Sequence, residues 1–550
     1  LLSRKPRARI GLAILLAALA AALAAGRPAQ ARPPAFEIAT HVLKAPGRIL
    51  DVAYADIDGD GKEDIVVAHL MGDGSTKDEH GVALRYVSVW KQGPKANPWS
   101  SAPDVTRNVP EDAVAFAVGD FHPDTGAEVL FLGARMVTLM RRGAGGAMLG
   151  QISPVTSVSS FFDYPAVGAL PLWNLAEDIS GSGRTDVLVP TKEGYLYLRN
   201  DKAAGLVPAG SIKVPSTERF GPAFETQFLN RFLTYTSTLP RLVAIDLNGD
   251  KRKDLVVYRK RGLARFLQKA DGTFPESPDD EKPLGIVEDA AKKEKGKGGG
   301  GGGGAGGAGK AGGQSFTNVR LSLVDLDKDG YADLVATKTV GEVGVFETLR
   351  TQIMIWKGGE KGWDEAHPTR ILNQKGVSAD PTFIDWDGDG KLDLVVSSFR
   401  MDYFTNVKRA ITSSITITYS IYLQQGEGFF PEEPDFTRDV VVDLEAVERR
   451  NGAEIATFDA DMNGDHFRDM VLRSERGKIK IVPGAVESGF FSGKSITFKD
   501  DDAVEVEVPP NADIDSHDLY KDGKGDCLIL SNPALDDPER SSLRVLEARR

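Results

Sequence analysis

Asp385-Trp386-Asp387-Gly388-Asp389-Gly390-Lys391-Leu392-Asp393 carries carboxylates at positions 1, 3, 5 and 9 and a glycine at position 6. Alternate side chains of a tight loop converge on one small volume, so this spacing surrounds a space with hard oxygen donors, as an EF-hand loop does, but closes three residues early. The glycine permits the bend. Two further copies are equally complete: Asp56-Ile57-Asp58-Gly59-Asp60-Gly61-Lys62-Glu63-Asp64 and Asp325-Leu326-Asp327-Lys328-Asp329-Gly330-Tyr331-Ala332-Asp333. The loop reads as a calcium cage.

Five more copies keep the spacing with altered chemistry. Asp246, Asn248, Asp250, Asp254 and Asp461, Asn463, Asp465, Asp469 retain oxygen donors throughout, with Lys251 and His466 at the bend. Asp178, Ser180, Ser182, Asp186 keeps Gly183 and half the carboxylates. Asp518, Asp522 and Asp526 keep Gly523 but place Tyr520 at position 3. The weakest copy is Asp120, His122, Asp124, Glu128, whose glycine has slipped to Gly126. Ligand charge tunes affinity in such loops, so five or more calcium sites are expected, and at most eight. Asp and Gly favour turns on their own account. Eight copies at intervals of 57 to 79 residues nevertheless define a repeat architecture.

Short apolar runs flank each loop. Leu394-Val395-Val396, Ile65-Val66-Val67 and Leu255-Val256-Val257 follow at once, and runs such as Leu242-Val243-Ala244-Ile245 precede. Continuous Val, Leu and Ile between turn signals predicts strands buried on both faces. A third run comes later in most repeats, as in Val87-Ser88-Val89-Trp90 and Ile353-Met354-Ile355-Trp356. With a less regular fourth segment, this makes four strands in roughly 60 residues, the unit of a β-propeller blade. The expected fold is all-β, a propeller of eight four-stranded blades, with seven as the alternative. Only 24 residues follow Asp526, enough for two strands at 527–530 and 543–547. The strand-like segment 36–43 is expected to complete that last blade, closing the ring and leaving no long edge exposed.

The loops, the Asp-Leu-Val-Val type strands behind them and turns such as Gly426-Glu427-Gly428-Phe429 resemble the FG-GAP/VCBS repeat family, which includes the integrin α propellers. The resemblance covers roughly 36–550. It implies a calcium-binding propeller in which positions 1, 3, 5 and 9 bind metal, together with the position-7 carbonyl of residues such as Lys62, Tyr331 and Lys391. His122, Glu128 and Tyr520 depart from that pattern. The family hosts diverse functions, so the resemblance names none.

Arg4, Lys5, Arg7 and Arg9, an apolar stretch over 10–25 and Ala29-Gln30-Ala31 predict a signal peptide at 1–31 and an exported, periplasmic or extracellular protein without a transmembrane segment in the mature chain. The one cysteine, Cys527, falls in a predicted buried strand, where no intrachain disulfide is possible. The formal charge of -12 is explained by the loops, which hold 26 Asp and Glu at ligand positions. It argues against nucleic acid, which calls for a basic face. The glycine-rich tract 292–313 is expected to be a flexible insertion between the fourth and fifth loops. Within it, 304–310 fits a phosphate-loop pattern, but Ala311 replaces the needed hydroxyl and no strand precedes it.

Function is expected on the connections opposite the acidic loops, where recognition segments cluster on a rigid ring. Two are rich in aromatics: Phe161, Phe162 and Tyr164, and then Phe220, Phe224, Phe228, Phe232 and Tyr235 with Arg219 and Arg231. The four-residue spacing of the second set also fits a buried helical stripe. The leading reading is a binding module for a protein or glycan ligand. The alternatives are a carbohydrate-active enzyme, such as a polysaccharide lyase, and a structural envelope protein. No compact acid/base cluster, nucleophile elbow or zinc motif appears outside the loops, which favours binding over catalysis.

Overall fold

A computed structural model describes residues 36–71, 84–143, 148–162, 168–222, 233–259, 261–287, 314–343, 349–399, 414–426, 429–443, 456–475, 477–489, 493–509, 512–531 and 541–549. The segments read as an export signal (1–31) and a glycine-rich insertion (292–313) lie outside these residues. Eight antiparallel sheets follow one another around a β-propeller. Blade 1 consists of Ile49–Ala55, Asp64–Leu70, Arg85–Trp90 and Val105–Asn108. Blades 2 to 5 and blade 7 repeat that order, strand 1 to strand 4. Blade 6 has its first strand in two pieces, Val377–Ser378 and Thr382–Ile384. Among the described residues, helix is confined to single turns such as Asp500–Asp502. Among the described residues no helix is long and apolar enough to cross a membrane.

The ring closes as the sequence predicts. Blade 8 is built from Asp513–His517, Asp526–Ser531 and Ser542–Arg549, and its fourth strand is Glu37–Lys44 from the other end of the chain. That strand pairs in full register, from Glu37 opposite Arg549 to Lys44 opposite Ser542. Eight blades are present, not seven.

Burial explains the unbroken apolar runs. Second strands are buried end to end, as in Asp64–Leu70. Successive residues of a strand point to opposite faces. Val66 and Ala68 therefore pack toward blade 2, while Ile65 and Val67 pack toward blade 8. Eight separate hydrophobic clusters result, one at each junction between neighbouring blades. The junction between blades 8 and 1 is one of them, so closure is stabilised by core packing as well as by strand pairing. Cys527 lies fully buried between blades 7 and 8.

One local expectation needs correction, and two features are new. The helical stripe proposed around Phe220 is a β-hairpin, Thr217–Pro222 against Leu233–Thr238, with Phe220 opposite Tyr235; Phe224, Phe228, Arg231 and Phe232 lie outside the described residues. β-pairing uses the backbone polar groups that a helix would have used, and periodicity alone did not separate the two. The second strand of blade 5, Asp333–Val343, runs well beyond the short apolar run that marks it in sequence. A second hairpin, Gly484–Gly489 with Gly493–Phe498, is inserted between the third and fourth strands of blade 7.

Candidate metal centres

The acidic loops join strands 1 and 2 of every blade. Seven share one backbone fold, in which positions 4 and 6 are both left-handed: Gly59 and Gly61, Gly388 and Gly390, Lys328 and Gly330, for example. Lys251 (φ 67°) and His466 (φ 76°) adopt the same conformation in place of the bend glycine, at the steric cost that side chains carry there. The eighth, at 120–128, has Pro123 at position 4, and the ring of proline fixes φ in the negative range. That copy is built differently for this reason, with its left-handed residue at Gly126.

The position-1 carboxylate organises the turn. In seven loops its Oδ2 accepts the amide of position 6, at 2.7 Å in Asp56 and 3.0 Å in Asp325 and Asp385. The position-9 carboxylate fixes the loop to the blade. Its side-chain oxygen accepts the position-2 amide in all eight copies, as from Ile57 to Asp64 and Trp386 to Asp393. In six blades its other oxygen accepts an amide at the end of strand 3, such as Gln92, Gln268 or Gln424. Every position-9 residue is buried. Burial raises these acids, Asp64 and Asp254 to about 6, Asp333, Asp393 and Asp469 to about 7, and Glu128 and Asp526 to about 8; the amide hydrogen bonds partly oppose the rise.

Loops are also chained to one another. The position-8 amide donates to the position-1 carbonyl of the preceding loop at Ala127–Asp56, Thr185–Asp120, Ala332–Asp246 and Gly525–Asp461. A second link had no counterpart in the sequence reading. Buried Gln92, Gln268 and Gln424, at the end of strand 3, donate Nε2 to the position-2 carbonyls of Leu519, Ile179 and Leu326 in the preceding blade. Asn200 does the same to the Asp120 carbonyl. The available signal was an aromatic two residues earlier: Trp90, Phe266 and Tyr422 all precede a Gln in this way.

Three loops bring their carboxylates together. One oxygen each from Asp56, Asp58 and Asp64 lies within 4.8 Å of the others, and so do those of Asp325, Asp327, Asp333 and of Asp385, Asp387, Asp393. Position 5 stands outside these triads. Asp60 and Asp329 instead face Lys91 (3.7 Å) and Lys357 (3.3 Å), whose ammonium groups also rest on Asp58 and Asp327 at position 3. Lys391 lies 3.1 Å from Asp389.

These three loops suit a hard divalent cation. Beyond the convergent carboxylates, Asp325 Oδ1 and Asp385 Oδ1 are buried with no hydrogen-bond partner. A buried acceptor without a donor calls for an explanation, and a cation provides one. All-oxygen donor sets of this kind suit Ca²⁺. The other loops fit less well. Asn463 donates its amide to Asp469, which ties positions 3 and 9 together without metal. Arg252 pairs with Asp250 at position 5. Tyr520 turns into the blade junction, where its hydroxyl accepts Trp99 Nε1 at 2.9 Å. In the proline-containing copy, Arg184 bonds Asp120 (3.3 Å) and the His122 carbonyl (2.9 Å), so a guanidinium already neutralises the loop. Asp120, Asp124 and Glu128 do not fit a metal.

Such a molecule is an eight-bladed β-propeller whose repeats each carry an acidic loop on one rim. Residues 325–396 match the family model described as FG-GAP-like repeat. The match contains the two loops that have an unpartnered buried oxygen at position 1. Comparison with curated proteins finds no match. An FG-GAP-like propeller is a fold of interaction modules, typical of extracellular proteins.

Proposed function

We propose that this protein is an exported, calcium-stabilised propeller that binds a protein or glycan ligand on the rim opposite its acidic loops. Calcium binds first in the loops of Asp56, Asp58, Asp60, Asp64, of Asp325, Asp327, Asp329, Asp333 and of Asp385, Asp387, Asp389, Asp393. The loops at 246–254 and 461–469 add weaker sites, and those at 178–186 and 518–526 the weakest. There the ion cross-links strands 1 and 2 of a blade, a role that suits compartments rich in calcium.

The observation that carries the ligand reading is a cleft of about 510 Å³ between blades 2 and 3. Arg135 and Lys192, two of its lining residues, sit in turns between strands 2 and 3, so they lie at the blade ends opposite the acidic loops. Ser157, Ser159 and Phe162 complete a wall of hydroxyls, cations and one aromatic ring, a mixture suited to polar ligands. The test is a glycan array and a pull-down from envelope material, with and without calcium, using the native protein and an Arg135→Glu/Lys192→Glu variant. Ligand capture that survives the double variant would place recognition elsewhere. A melting temperature unchanged by EDTA would remove calcium from the reading.

A further inference from the structure

Blade 6 has an inner strand unlike those of its neighbours. Ser378 pairs opposite Ser398, and the ladder resumes at Thr382 opposite Val395. Three residues, Ala379, Asp380 and Pro381, therefore face two, Val396 and Ser397. Pro381 has no amide to donate, which accounts for the break at this point. A bulge of this kind bends the strand and leaves its ladder locally unpaired. Blade 5 holds the bulge in place: Arg320 donates to the Asp380 carboxylate and, at 2.7 Å, to the Ser378 carbonyl. On the other side, the described part of the inner strand of blade 7 is Ala456–Thr457, paired with Leu472 and Val471.

Beside the bulged strand lies a cavity of about 410 Å³ between blades 6 and 7. Its body is apolar, formed by Val395, Ile417 and Phe458 among others. The Ser378 hydroxyl, buried without a partner, lies on the opposite face of the strand with Ser398 and Val396, toward blade 5, and takes no part in the cavity. At the mouth stands Asp459, whose carboxylate meets only the Thr457 hydroxyl and no cation among the described residues. Arg320, the cation of the lining, is already committed to Asp380.

We propose that this cavity is a binding site for a small amphipathic molecule, neutral or singly cationic, with an apolar ring or branched body. Its body replaces solvent against Val395, Ile417 and Phe458. An amine or hydroxyl on the ligand faces Asp459. Anionic ligands are disfavoured, because the carboxylate among the lining residues at the mouth, Asp459, is in no ion pair among the described residues, Arg468 bonding its carbonyl instead. Pockets with few polar groups in an apolar wall, at this size, are the usual form of small-molecule sites. The site is separate from the cleft between blades 2 and 3.

The experiment uses the full chain and N-phenyl-1-naphthylamine, a neutral dye whose fluorescence rises in apolar surroundings. One saturable site is expected. Ile417→Trp, which fills the cavity, should abolish it, and Ser397→Phe provides a second filled variant should the first melt early. Competition by 1-naphthylmethylamine should exceed that by 1-naphthoate by about tenfold or more, since a lost charge contact is worth roughly that factor. Dye binding that is absent in the native protein, or that persists in a filled variant of unchanged melting temperature, overturns the site. Equal competition by the amine and the carboxylate, or stronger competition by the carboxylate, overturns the assigned ligand class.

Discussion

Gln92 donates from Nε2 to the Leu519 carbonyl at 2.8 Å, across 427 residues of chain and the junction where the ring closes. The same bond recurs as Gln268 to Ile179 and Gln424 to Leu326. In these blades, and through Asn200 in blade 3, the end of a third strand reaches back to the acidic loop of the previous blade. Backbone bonds between loops, such as Ala127 to Asp56, Ala332 to Asp246, Arg468 to Trp386 and Gly525 to Asp461, span the other junctions, so the loop rim is a continuous hydrogen-bonded band.

That bond gives a direct test. Gln268 is 3 % exposed and its amide also donates to the Lys253 carbonyl at 3.0 Å. In Gln268→Glu, a carboxylate would face two carbonyl oxygens with no proton to give. Stability should fall by roughly 3 kcal/mol, the scale of an uncompensated buried charge. Gln268→Met, which removes the donor without adding charge, should cost less. Denaturant midpoints of the two variants check this; equal losses would mean the amide does not serve as the donor.

The two roles of the acidic residues should separate by mutation. Asp393 accepts amides from Trp386 and Gln424 at 2.8 Å each, while Asp387 at position 3 belongs to the same triad. Asp393→Asn sets an amide NH₂ against one of those donors and should destabilise the protein by about 2 kcal/mol even in EDTA, the range for hydrogen bonds to a charged group. Asp387→Asn should leave the melting temperature in EDTA nearly unchanged and shrink only the calcium-induced rise. Thermal melts with and without calcium decide it. If both substitutions behave alike in EDTA, position 9 has no architectural role beyond metal binding.

Much of this molecule was legible because its causes are local. A carboxylate at every second position and a glycine at the bend announce the loop, and the run Leu394-Val395-Val396 announces a strand packed on both sides. Ring closure was readable as a missing strand at one end and a spare one at the other. The Gln latch was not, since its partner lies a blade away and the interval from position 9 varies between Asp254–Gln268 and Asp393–Gln424 with the length of the strand 2–3 connection. Nor was the special status of the copy at 120–128 fully seen. His122 and Glu128 attracted notice there, but Pro123 sets the backbone and Arg184, from the next loop, supplies the positive charge. The cavity between blades 6 and 7 lies beside a bulge, and a lone Pro381 in sequence does not reveal what the two neighbouring blades do around it.

Lys91 should weaken calcium binding at the first loop. Its ammonium rests on Asp58 and lies 3.7 Å from Asp60, so an incoming ion must displace it or share the carboxylates with it. In the loop at 385–393 the corresponding residue, one before Gln424, is the apolar Leu423. Lys91→Met should therefore raise calcium affinity at the first loop by about tenfold, a change of roughly 1.4 kcal/mol, which is modest for removing a nearby like charge. Isothermal titration of the native and variant proteins, each in the background of Asp327→Asn and Asp387→Asn, leaves that loop as the one intact carboxylate triad, whose binding is read as the tightest phase. Unchanged or weaker binding would show that the ammonium does not compete.

His69 should make the stability of blade 1 depend on pH. The side chain is fully buried, with Nδ1 2.8 Å from the Leu70 carbonyl and Nε2 2.8 Å from the Ser88 hydroxyl. Burial holds its pKa below the usual imidazole value, against a smaller opposing effect of the Leu70 carbonyl. The unfolded chain titrates near the ordinary value of about 6.5 and so binds more protons than the folded one below it. Stability must then rise with pH through the region beneath about 6.5 and be lost as pH falls, at no more than roughly 1.4 kcal/mol per pH unit from this one group. His69→Gln keeps a polar side chain between Leu70 and Ser88 and cannot titrate. The drop in melting temperature between about pH 7 and pH 5 should be smaller in the variant than in the native protein, since only the native chain gains a proton on unfolding at this position. Equal drops would mean that His69 is charged in the fold, in conflict with an imidazole sealed between strands 2 and 3 and stacked on Tyr86.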